Sequence, residues 1–138
     1  MPVVTVMKEK KMSAAHQLPY HDGKCKNLHG HTFVVQVYVQ GHPQEVKVDN
    51  PESGMVVDFK VIGEFLNKVD EELMDHKLLN DSIDIYPTCE RLCLYLLDYA
   101  KEHLTPNLPE QVRLTKIRVY EEHTFPCCFA EIDLTRGN

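Results

Sequence analysis

The chain contains no tryptophan, and none of its apolar runs approaches the ~20 residues that a membrane-spanning helix requires. Its first residues, Met1-Pro2-Val3-Val4-Thr5-Val6, lack the basic start and small-residue cleavage site of a secretory signal, so a cytoplasmic location is expected. Basic residues are in deficit, with 15 Lys and Arg against 21 Asp and Glu for a net charge of −6. Nucleic-acid binders usually present a basic surface, so neither nucleic acid nor a membrane is an expected partner. The deficit does not exclude an anionic small ligand. Lys8, Lys10, Lys11, Lys24 and Lys26 crowd the start of the chain, either as a solvated face or as local cations for such a ligand. The five cysteines are odd in number, which, with no secretory signal expected, speaks against a disulfide framework. No Cys-x-x-Cys pair suggests a structural zinc site, and no internal repeat or low-complexity tract is present.

What is present suits one domain over residues 1–138. Hydrophobic residues make up 43% of the chain, enough for a core of its own at this length. Residues 3–15 and 30–41 read as strands, joined by a loop from Pro19 to Leu28 rich in turn formers. A second loop covers residues 41–54. Asp58 then caps a helix running to about Leu73, with Ile62, Phe65, Leu66, Val69 and Leu73 at helical spacing. Thr88 is positioned to cap a second helix whose stripe is Cys89, Leu92, Cys93, Leu96, Ala100 and Leu104. Residues 112–121 and 126–134 complete a β-β-α-α-β-β order. The class is α+β: a four-stranded antiparallel sheet with both helices on one face. The opposite face still carries apolar residues, and oligomerisation into a closed barrel would cover it and remove the free edges.

Within this frame His16, Cys25, His29 and His31 lie close in sequence. Residues i and i+2 of a strand share a face, so His29 and His31 aim two imidazoles at one point, and His16 ends the preceding strand. Three neutral imidazoles can hold a catalytic metal with one position left open. The alternative is a set of buried histidines satisfied by hydrogen bonds. Glu121 has the parity of Ile117 and Val119 and points inward, toward either a ligand or an arginine such as Arg113 or Arg118. Asp75 and His76 form a candidate dyad. Since adjacent side chains rarely face each other, Asp75 is expected to act through the fold or across a subunit boundary.

Six segments resemble one family in the same order: Ser13-Ala14-Ala15-His16; Lys24-Cys25-Lys26-Asn27-Leu28-His29-Gly30-His31; Val57-Asp58-Phe59; Asp75-His76-Lys77-Leu78-Leu79-Asn80; Pro87-Thr88-Cys89-Glu90; and Tyr120-Glu121-Glu122. The chain resembles the superfamily of 6-pyruvoyltetrahydropterin and 6-carboxytetrahydropterin synthases along nearly its whole length. Three residues separate Cys25 from His29, a spacing similar to the 6-carboxytetrahydropterin branch of 7-deazaguanine (queuosine) synthesis. The resemblance implies the tunnelling fold (T-fold) and one Zn2+ per subunit on His16, His29 and His31. The implied substrate is 7,8-dihydroneopterin triphosphate, with Cys25 as general base and Asp75 with His76 as proton shuttle. Glu121 and Thr88 are implied as pterin contacts, His123 and the early lysines as partners of the triphosphate, and a homohexamer with sites between subunits as the assembly. Cys89 departs from the Ser or Thr frequent at that position.

Overall fold

The alternating apolar residues of the first half form a long antiparallel hairpin. Strand β1, Val4–His16, pairs with β2, His29–Gly41, in a register that sets His16 opposite His29 and Val4 opposite Gly41. The computed structural model describes residues 2–136. After the hairpin come α1 (Phe59–Val69), β3 (Lys77–Leu78), α2 (Leu79–Ser82), α3 (Cys89–His103), β4 (Arg113–Glu122) and β5 (Cys128–Asp133). The strand order is β3-β1-β2-β4-β5. The four long strands are mutually antiparallel as expected. The sheet nevertheless has five strands and is mixed, because Lys77–Leu78 runs parallel to Ala14–Ala15. A strand of two residues is too short for hydrophobic alternation to reveal.

Asp58 caps α1 by accepting the Lys60 backbone N–H at 2.9 Å. The α-helix stops at Val69, and one π-type turn, Asp70–Met74, carries the helical path onward with Leu73 and Met74 buried. Thr88 caps α3 by accepting the Arg91 N–H. Both helices pack on the sheet face formed by Met12, Phe33, Val35, Val37, Ile117 and Val119. Two thiols tie α3 to the sheet: Cys89 Sγ donates to Val119 O at 3.0 Å and Cys93 Sγ to Ala130 O at 3.3 Å.

The opposite sheet face carries apolar residues as expected, among them Met7, Val34 and Phe129, but is more polar than the core face. Val34 is buried there, but its neighbours form a polar lattice. Gln36 Nε2 donates to Glu9 (2.8 Å), Tyr38 Oη to Gln36 (2.7 Å), and Arg118 to Glu131 (2.7 Å) while lying over the Phe129 ring. Pairing polar groups with one another lets this face lie against water or a wet interior. Among the described residues no helix is long and apolar enough to cross a membrane.

Candidate active site

The hairpin register builds the centre of the site. With His16 opposite His29, and His31 two residues farther along β2, strand alternation places all three imidazoles on the face of Phe33. The ring centroids lie 4.5 Å apart for His16–His29, 5.1 Å for His16–His31 and 4.9 Å for His29–His31, and Phe33 meets His16 and His31 edge-on. One ring nitrogen from each histidine lies within 4.8 Å of the others.

Two of the rings are held by backbone carbonyls. His16 Nδ1 donates to Pro87 O at 2.8 Å, and His29 Nδ1 to Asn27 O at 2.7 Å. A carbonyl only accepts, so each Nδ1 carries the proton and each Nε2 keeps a free lone pair. The Nε2 atoms of His16, His29 and His31 are all buried without a hydrogen-bond partner. Leaving the His16 and His29 lone pairs buried and unused is costly unless something arrives to use them, and the His31 ring nitrogen converges on the same point. Hydrogen bonds within the chain satisfy only the Nδ1 side of His16 and His29, and the donor set fits a metal that accepts imidazole and leaves a position open. Burial lowers the His31 pKa, against the opposing pull of Glu121, and so favours the neutral, ligating form.

Glu121 arrives through a defect in the sheet. Tyr120 pairs with Phe129 and Glu122 with Cys128, which leaves Glu121 as the extra residue of a β-bulge. Its carboxylate lies 3.3 Å from His31 Nε2 and is one-quarter exposed. The arginine alternative is not realised, since Arg118 is bonded to Glu131 and Arg113 lies at the other end of β4. Glu121 and Cys89 line a cleft of about 250 Å³ with Glu90, Cys128, Phe129 and Ala130. Cys89 is buried and its thiol is pushed up to about 12 by that burial, so it lines the cleft as a neutral thiol whose S–H is donated to Val119 O. Thr88 immediately precedes Cys89 in the chain, and its hydroxyl oxygen accepts the helix cap from Arg91 N–H, which leaves its O–H to donate.

Cys25 sits half-buried in a 3₁₀ turn, Lys24–Lys26, within the loop that joins His16 to His29. Asp75 and His76 require a correction. They do face each other, with His76 Nδ1 and Asp75 Oδ1 2.5 Å apart. His76 has a positive φ of 53°, a left-handed conformation that returns its ring to the preceding side chain. The His76 backbone N–H donates to Ser13 O at 2.8 Å and anchors the turn to β1. The pair is exposed, at 85% for the His76 side chain and 52% for Asp75. His76 lines a cleft of about 530 Å³ that also touches His31, Leu28 and Leu78. His123 lies beside a third cleft with Lys11, Thr32 and Thr124. Sequence reasoning missed Pro87 O and Asn27 O, which orient the metal-competent rings. As backbone carbonyls they leave no residue-type signal.

The profile of the family described as 6-pyruvoyl tetrahydropterin synthase matches residues 5–131. The chain belongs to the 6-pyruvoyl tetrahydropterin synthase family. The matched span takes in every residue of the site, from His16 to Glu121. A 6-carboxy-5,6,7,8-tetrahydropterin synthase from Synechocystis is 39% identical across 75% of this chain and 79% of its own. A dihydroneopterin monophosphate aldolase from Pyrococcus furiosus is 34% identical across 81% of this chain and 84% of its own. The solved Caenorhabditis elegans 6-pyruvoyl tetrahydropterin synthase superposes with a TM-score of 0.73 at 27% identity, covering 96% of both chains. Family members thus bear different activities, and the product of this member has to be argued from its own residues.

Proposed function

We propose that the protein is a 6-carboxytetrahydropterin synthase of 7-deazaguanine synthesis. It would act as a zinc-dependent carbon–carbon lyase that takes up water and converts 7,8-dihydroneopterin triphosphate to 6-carboxytetrahydropterin, acetaldehyde and triphosphate. The observation that carries this reading is the triad of unpartnered imidazole nitrogens with Glu121 beside His31. His16, His29 and His31 would hold the zinc, and the bound ion would supply Lewis acidity to the substrate side chain. Imidazole suits several divalent metals, so loading with zinc and with iron belongs in the test.

The remaining chemistry falls to the chain's own groups. Glu121 offers two oxygens to the 2-amino and N3–H donors of a pterin, a bidentate charge-assisted pairing. Thr88 O–H is free to donate to the pterin edge. Cys25, flanked in sequence by Lys24 and Lys26, would take the side-chain proton as the base. Asp75 fixes the His76 tautomer by accepting from Nδ1, so Nε2 is presented for proton transfer. An imidazole this exposed would exchange protons with bulk water. Its use as a shuttle therefore supports a site closed between subunits of a homo-oligomer, a hexamer being the assembly we favour.

The branch follows from the three residues between Cys25 and His29 and from the Synechocystis relative. The test is incubation of metal-loaded protein with 7,8-dihydroneopterin triphosphate and mass spectrometry of the products. Formation of 6-carboxytetrahydropterin with acetaldehyde is expected. A 6-pyruvoyl product, or a 6-hydroxymethyl product of aldol cleavage, would overturn the assignment.

A further inference from the structure

The loop from Gln17 to Leu28 carries Cys25, yet most of it is exposed and its internal bonds are few. Leu18 N donates to Cys25 O (2.8 Å), His21 N to Leu18 O (2.9 Å) and Asn27 N to Lys24 O (3.0 Å). These bonds shape the loop but do not fix it to the rest of the molecule. Three external attachments do, one of them the bond from His29 Nδ1 to Asn27 O at the loop's far end. At its root, Gln17 and Asn80 exchange a pair of hydrogen bonds at 3.0 and 2.9 Å. Farther along, Tyr20 N donates to Tyr86 Oη at 3.2 Å, and the two rings stack almost parallel, 7° apart with centroids at 5.5 Å. Tyr20 is 87% exposed, so burial does not explain why its ring lies there. Tyr86 immediately precedes Pro87, whose carbonyl holds His16, and Thr88, which caps α3. One three-residue segment thus touches a metal-competent histidine, the start of the helix beside Glu121, and the loop that bears Cys25.

We propose that Tyr86, acting through Tyr20, is a positioning residue that sets the Cys25 loop in register with the His16–His29–His31 centre. The inference rests on the reading of Cys25 as the base, and it concerns placement rather than chemistry. Stacked aromatic pairs contribute a modest favourable interaction, enough to bias the placement of an exposed loop without deciding the fold. Misplacing a reacting group by about 1 Å can cost up to about 100-fold in rate.

The experiment compares wild type, Tyr20→Ala, Tyr86→Ala and Tyr86→Phe as metal-loaded full chains. Steady-state kinetics with 7,8-dihydroneopterin triphosphate are read alongside metal content and the rate of iodoacetamide labelling at Cys25, the latter by peptide mass spectrometry at one neutral pH. Tyr20→Ala removes an exposed side chain and leaves folding intact. It should lower kcat about tenfold or more, leave KM within about threefold and metal content unchanged, and change the Cys25 labelling rate. Tyr86→Ala should behave the same way. Tyr86→Phe keeps the stack and should restore most of kcat. Unchanged kcat and unchanged labelling in Tyr20→Ala would overturn the proposal. Loss of metal in Tyr86→Ala with normal labelling would also overturn it, by placing the effect on His16. Labelling does not depend on turnover. If wild type makes no carboxytetrahydropterin, the functional reading fails, while a labelling change in the variants still shows that the tyrosine pair sets the loop.

Discussion

At the scale of single residues, the chemistry is divided between groups that hold and groups that react. His29→Ala removes one of three converging nitrogens and should abolish stoichiometric zinc, measured by elemental analysis after gel filtration. Because the three Nε2 atoms are buried and unpartnered without the ion, zinc should stabilise the native state. A free concentration of about 100 times Kd contributes about 2.7 kcal/mol, read as a higher Tm that a chelator reverses. An unchanged Tm would mean that the triad does not bind the metal. Cys25→Ala should behave in the opposite way to His29→Ala, keeping zinc and Tm while losing turnover. Full activity in Cys25→Ala would sink the assignment of Cys25 as base. Cys89 supplies a contrast among the thiols, since burial raises it to about 12 and leaves it unionised at neutral pH.

At the scale of elements, caps and stripes position the site. Thr88→Ala deletes the α3 cap, and the typical loss of about 1 kcal/mol should appear as a shifted denaturation midpoint with zinc content unchanged. Leu92 is fully buried in the α3 stripe, so Leu92→Ala should cost about 2–5 kcal/mol in the same measurement. These helices were legible in the sequence because a capping residue and a 3.6-residue apolar repeat are local signals. The His-x-His pair was legible for the same reason, strand periodicity being local too. The bulge at Glu121 was not, because it exists only relative to β5, and pairing between strands is invisible in one strand's composition. The Asp75–His76 contact was missed because it depends on a left-handed backbone at a residue that seldom adopts one. β3 and α2 escaped notice because two and four residues carry no periodicity.

At the scale of the whole molecule, the candidate groups of one chain share a cleft at His31 and His76 but differ in shelter. His16, His29, His31 and Glu121 form a sheltered group at the head of the hairpin, whereas Asp75 and His76 stand exposed at the β3 edge. The sheet itself is open, with β3 and β5 at its ends and a hydrogen-bonded polar face uncovered by helices. Closing copies of this sheet into a ring would cover both edges and enclose the exposed dyad. If each site draws Cys25 from one chain and His76 from another, the inactive variants Cys25→Ala and His76→Ala should rescue each other. After co-refolding at equal amounts, random assortment gives roughly a quarter of sites both intact groups, so roughly a quarter of wild-type activity should return. Sites confined to one chain would give no recovery, because every chain in the mixture lacks one of the two groups. Carrying different affinity tags on the two variants and purifying the mixture over both tags in turn confirms that hybrids form, so an absence of rescue would refute the shared site itself.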